Sequence, residues 1–160
     1  MKYDLTFNVL WETKKFVSVL NRELDICFIS EDFDKLPPTD HQIALLDSLD
    51  NLPSSIITQL NDWARKYFQS CMINWRIPDE EIIEEFGFEI DKERIQNHYK
   101  IDKVIIPRIN SCSDNYVFLA GECDWDIEHG IEFLLKNRTP IQCTAQDGLC
   151  FNEAWDEYLK

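Results

Sequence analysis

Pro37-Pro38-Thr39-Asp40-His41-Gln42-Ile43-Ala44-Leu45-Leu46 is the stretch at which the chain changes period, and its reading decides the fold. The two prolines punctuate what precedes them. Thr39-x-x-Gln42 is a capping-box pattern, in which the threonine side chain accepts from the amide three residues on and the glutamine reaches back. A short helix therefore opens here, with Ile43, Leu46 and Leu49 on one face. Pro53 marks a second start. From there Ile56, Ile57, Leu60, Trp63 (or Ala64), Tyr67, Phe68 and Cys71 recur at three- and four-residue steps, the clearest amphipathic helix in the chain. Only a few residues separate the two helices, which predicts an antiparallel pair packed on one face of a sheet.

Upstream, the period is two. Leu5, Phe7 and Val9 alternate with Thr6, Asn8 and Leu10. A second run, Phe16-Val17-Ser18-Val19-Leu20, follows a break at Glu12-Thr13-Lys14, and a third occupies 24–29 after Asn21-Arg22-Glu23. These lengths and compositions predict a meander of strands. Downstream, Pro78-Asp79-Glu80-Glu81 opens a shorter helical segment, with acids at the positive end of its dipole and Gly87 as its stop. After a polar stretch at 91–103, strands are expected at 104–106, 115–120, 131–135 and 141–144, and a helical turn at 153–159. The order strands, helices, strands predicts one α+β domain over 1–160. Its sheet is largely antiparallel, with a helical pair inserted between N-terminal and C-terminal strand groups and packed on one face. The pattern does not specify strand order.

Sixteen basic against thirty acidic residues leave a formal charge of −14. Such a chain repels a phosphate backbone and has few cations with which to release counterions, so nucleic acid is excluded as the expected partner. The same field speeds encounter with a cationic protein, although acidity also serves solubility alone. Ten Phe, five Trp and five Tyr within 44% apolar residues exclude a disordered acidic tail. No run of apolar residues suits an export signal or a membrane span, which predicts a cytoplasmic protein with reduced thiols. The six cysteines (Cys27, Cys71, Cys112, Cys123, Cys143, Cys150) include no C-x-x-C pair, and His41, His98 and His129 stand far apart. A zinc ribbon and a thioredoxin motif are therefore not expected. With four glycines and no phosphate-loop or nucleophile-elbow motif, the chain is read as a non-enzyme without a cofactor.

Two acidic clusters stand out. In Glu122-Cys123-Asp124-Trp125-Asp126-Ile127-Glu128-His129-Gly130 an extended backbone would align 122, 124, 126 and 128 as a ladder able to bind a divalent cation. The alternative is a strand ending in a tight turn, with Asp126 accepting backbone amides, Gly130 at positive φ and Trp125 buried at the base. That reading makes Asp124, Trp125, Asp126, Glu128, His129 and Gly130 a structural signature. Glu128 beside His129 offers an acid/base pair only if a turn brings them together, and acidic surroundings oppose a Cys123 nucleophile. The second cluster is Asp79, Glu80, Glu81, Glu84, Glu85 and Glu89, continued by Asp91 and Glu93. Residues 80, 81, 84 and 85 share a helical face where like charges repel, a candidate partner-binding surface, with Ile82, Ile83 and Phe86 expected to face the core.

Three features, Phe7–Trp11, Pro38-Thr39-Asp40-His41-Gln42-Ile43-Ala44-Leu45 and 122–130, together resemble a family of bacterial domains of unknown function. Members of that group are similar to immunity proteins of polymorphic toxin or contact-dependent inhibition systems. The chain departs from the pattern after Gly130, where Asn137-Arg138-Thr139-Pro140 stands in place of an Asp-Gly turn, which bears on the last hairpin. The resemblance implies a protein that binds and neutralises a cognate basic toxin, such as a nuclease, by stoichiometric occlusion, and it carries over no catalytic residue. The competing expectations are a regulatory interaction domain without a toxin partner, and a metal-dependent enzyme built on the 122–129 carboxylates.

Overall fold

The capping box at Thr39 forms. In the computed structural model, which describes residues 2–30, 35–86, 92–108 and 114–146 (92 and 93 by backbone alone), Thr39 Oγ1 accepts from the Gln42 amide at 3.2 Å. Gln42 Oε1 accepts in turn from the Thr39 amide at 3.1 Å. The box opens α1 (Asp40–Ser48), which a 3₁₀ turn at Leu49–Asn51 links to α2 (Ile56–Asn74). Two shorter helices follow, α3 (Asp79–Phe86) and α4 (Lys92–Ile95).

Before these helices come β1 (Thr6–Phe7), β2 (Trp11–Val17) and β3 (Arg22–Ile29). After them come β4 (Tyr99–Pro107), β5 (Tyr116–Cys123), β6 (Ile131–Lys136) and β7 (Thr139–Thr144). All seven join one sheet in sequential order. Every neighbouring pair is antiparallel except β3 and β4, which are parallel. A parallel pair cannot be closed by a hairpin and needs a crossover, and the helices are that crossover. The architecture is α+β, with a largely antiparallel sheet.

The helices pack on one face. Leu24, Ile26, Phe28, Val104, Ile106, Leu119, Phe133 and Leu135 from the strands meet Leu46, Ile56, Leu60, Ala64 and Phe68 in one buried cluster. The other face holds a smaller one, including Ile105, Tyr116, Phe118 and Leu134. Because β5 and β6 are buried on both faces, they read as continuous apolar runs rather than alternating ones.

Four local expectations need correction. The break expected at Glu12-Thr13-Lys14 lies inside β2, whose charged residues suit a strand that β1 covers only at Trp11 and Glu12. The run at 16–20 is divided between the end of β2 and a 3₁₀ turn at Ser18–Leu20. β4 begins at Tyr99, within the stretch read as polar, and α4 occupies part of the same stretch. The two long helices pack against the sheet over different strands, α1 on β4 and α2 on β7, more than against each other. The final hairpin is a two-residue turn despite its sequence: Asn137 and Arg138 have φ of 50° and 69°, the doubly positive geometry of a type I′ turn. Arg138 fills the position usually given to glycine, and its Nη1 donates to the Asn51 carbonyl at 3.1 Å.

Gln42 has a second task. Its side chain is 1% exposed, and Nε2 donates to the carbonyls of Ile29 (3.2 Å) and Ile106 (2.9 Å), clamping the ends of the parallel pair. Gln42→Ala should therefore remove the cap and strip a donor from two backbone carbonyls at once. The expected cost is about 2–3 kcal/mol, read as a fall of roughly 4–12 °C in melting temperature. A change of under about 2 °C would contradict the clamp.

Candidate functional site

β5 ends at Cys123, so the carboxylates of 122–128 do not form a ladder. The chain turns instead, and Asp126 organises the turn. Its Oδ1 accepts from the His129 amide at 3.2 Å and from His129 Nδ1 at 2.9 Å, and its carbonyl accepts from the Gly130 amide at 2.7 Å. Its Oδ2 accepts from the Tyr67 hydroxyl at 2.9 Å, which ties the turn to α2. Gly130 closes it at φ +68°, where an L side chain is strained. Trp125 is buried edge-on to Tyr67 and Phe68, with ring centroids 6.0 and 5.6 Å away. Glu122, Asp124, Ile127, Glu128 and His129 face solvent. His129 thus pairs with Asp126, three residues back, and not with its neighbour Glu128.

Burial pushes the Cys123 thiol up to about 12 and raises those of Cys71 and Cys143 as well. Since only thiolates alkylate readily, these three should resist iodoacetamide in the folded protein at about pH 8 and react on unfolding. Peptide mapping by mass spectrometry reads each site separately. Rapid native labelling of Cys123 would contradict its burial. Cys112 and Cys150 lie outside the described residues.

The second acidic cluster is presented by a chain reversal. Arg76 adopts φ +54°, its amide donates to the Ile73 carbonyl at 3.1 Å, and the Ile77 amide donates to that of Met72 at 3.1 Å. This is the Schellman pattern, here with arginine in the glycine position. It ends α2 and directs the chain through Pro78 into α3. Asp79, Glu80, Glu81, Glu84 and Glu85 are all exposed along α3, while Ile82 and Phe86 pack on the core. Ile83 does not face the core as expected. A helix advances about 100° per residue, so Ile83 falls beside the 82–86 stripe and remains 45% exposed. Glu89 and Asp91, and the side chain of Glu93, lie outside the described residues.

The two clusters, some forty residues apart in sequence, meet at one end of the molecule. Phe86 of α3 packs edge-on against Phe68 (5.2 Å) and against His98 (5.6 Å). Phe68 in turn meets Trp125, while His98 Nδ1 bonds Asp124 Oδ2 at 3.0 Å and its carbonyl accepts the Asp124 amide at 2.8 Å. Phe68, Phe86, His98 and Trp125 are thus the shared floor beneath α3 and the 124–130 turn. No local signal in the sequence marks His98 as this bridge.

Four lysines pair elsewhere: Lys2 with Asp47, Lys14 with Glu23 and Asp25, Lys15 with Asp50, Lys136 with Asp114. Among the described residues, none of the α3 carboxylates has an ion-pair partner, and on the turn only Asp124 and Asp126 pair, each with a histidine. Exposed carboxylates gathered without ion-pair partners among the described residues add their fields, so this end carries a negative potential.

Residues 1–151 match the family described as a domain of unknown function, DUF6985. The chain belongs to this family. The DUF6985 match spans all seven strands of the sheet and the crossover between β3 and β4. No curated protein and no solved structure matches the chain. Among the described residues, no three His, Cys, Asp or Glu side chains converge as a metal-ligand set, and no helix is long and apolar enough to cross a membrane.

Proposed function

We propose that this chain is a non-catalytic binding protein whose acidic end engages a cationic protein, and that the partner is a toxin neutralised by stoichiometric occlusion. The observation that carries the reading is the packing of α3 and the 124–130 turn, both lined with exposed carboxylates, on one floor, those of α3 without ion pairs among the described residues. Such a surface accelerates encounter with a positive protein and opposes association with neutral or acidic ones. A toxin that grips phosphates is basic at its working site, and carboxylates held on a rigid floor can occupy that site in place of substrate. The likeness of the 38–45 and 122–130 motifs to immunity-type domains supports a toxin over other cationic partners.

Co-expression of this chain with the product of the neighbouring gene is the test. The expected result is an equimolar complex through size exclusion at low salt, together with relief of growth arrest caused by that product alone. Absence of both overturns the proposal. A complex with a product that is harmless alone would favour a regulatory interaction domain using the same surface.

A further inference from the structure

We infer that Trp75, Ile83 and Ile127 are the apolar anchor of this interface, and that the cationic partner meets them with an apolar patch fringed by lysine and arginine. The inference rests on the binding role proposed above and names what holds the complex once charge has steered it. Trp75 is 47% exposed and Ile127 is 86% exposed. Ile127 sits at the tip of a turn whose inward work is done by Trp125 and Asp126, and Trp75 stands at the C-terminal end of α2 with about half of its surface open to solvent. Single exposed apolar residues are ordinary on a surface, but three at one end are not placed by the core.

Their placement follows from the contacts beneath them. Trp75 continues the helical stripe of Tyr67 and Cys71 at four-residue steps, and Tyr67 is the residue that anchors the 124–130 turn. Ile83 is three residues before Phe86, which packs on the same floor from the other side. Ile73, also exposed, lies about 200° around the helix from Trp75 and is not part of the set. Asp79, Glu80, Glu81, Glu84 and Glu85 share α3 with Ile83, and Asp124 and Glu128 stand on the same turn as Ile127. Protein interfaces concentrate affinity in a few central aromatic or aliphatic residues and place charge at the rim. The turn that holds Ile127 is fixed by hydrogen bonds on both sides, so little order is lost on binding. Charge selects the occupant. A second copy of this chain would oppose acid to acid, as would an anionic lipid surface, so a cationic protein fits and a homodimer does not.

The experiment measures association and dissociation rates separately, with the neighbouring gene product immobilised. The variants are Trp75→Ser, Ile83→Ser and Ile127→Ser, singly and together. The triple variant is expected to dissociate about 30-fold faster or more, with its association rate and salt dependence within about threefold of wild type. Trp75 and Ile83 each have about half of their surface covered, so the triple variant should melt somewhat lower yet stay folded, which circular dichroism checks, and Ile127→Ser alone, at the most exposed of the three positions, should leave the melting temperature unchanged. An unchanged dissociation rate, with association still lost on reversing the α3 charges, overturns the anchor and leaves the binding role standing. Indifference to both sets of variants overturns the binding role at this end. Self-association of the wild type in sedimentation, abolished in the triple variant, overturns the choice of a cationic partner.

Discussion

Gly121→Ala is expected to destabilise the protein by about 3–5 kcal/mol, lowering the melting temperature by roughly 6–20 °C. A Cβ at this position would lie 1.8 Å from the Lys100 carbonyl oxygen, 2.8 Å from its carbon and 2.9 Å from Ile101 Cα. All three are backbone atoms of the neighbouring strand, so no side chain can rotate away to make room. The close approach arises from the bulge in β4, where the register passes from Ile101 opposite Gly121 directly to Lys103 opposite Ala120. Relief would require separating β4 from β5, the pair that continues the sheet beyond the crossover. Gly121 is also pressed from the far side: a Cβ on Gly130 would lie 2.3 Å from the Gly121 carbonyl oxygen. The two glycines let the turn that carries Trp125 and Asp126 close over the end of the sheet. A melt of Gly121→Ala within about 2 °C of wild type would contradict this packing.

Reversing Glu80, Glu81, Glu84 and Glu85 to lysine together should slow association with the cationic partner by about 100-fold or more at low salt. The change takes the formal charge from −14 to −6 and inverts the sign of the exposed face of α3. Stability should respond far less. These side chains are exposed and have no ion-pair partner among the described residues, so their removal breaks no contact. Lysine near a helix N-terminus opposes the dipole at about 0.3–1 kcal/mol per residue, which the corresponding glutamine variants avoid. Stopped-flow association should therefore rank wild type fastest, the glutamine set intermediate and the lysine set slowest. Equal rates across the three would remove α3 from the interface.

What was legible in the sequence was what is local. Thr39 and Gln42 announce their capping box because its hydrogen bonds span three residues, and the stripe from Ile56 to Cys71 announces α2 because the helix repeats its own period. The same sequence says nothing of Gln42 Nε2 reaching the carbonyls of Ile29 and Ile106, since the parallel pairing that brings these together lies beyond any local pattern. β2 was obscured because a strand that β1 covers only at Trp11 and Glu12 tolerates lysine and glutamate along its open length, and period two then loses its contrast. At the candidate site, Asp126 and Gly130 read correctly as turn formers from their residue types. Its union with α3 did not read at all. That union depends on Phe68, Phe86 and His98, which as isolated residues look like ordinary core and an ordinary histidine. Ile83 misled for the opposite reason: apolar character places a residue inward only where the helix has turned it inward.

Negative charge at this end is proposed to steer a cationic protein onto it. The most direct measurement is the association rate constant of the wild-type chain with the neighbouring gene product as salt rises from about 20 mM to about 500 mM. Steering by this surface gives a fall of about tenfold or more across that range, with a dissociation rate that hardly moves. An association rate independent of salt would contradict it.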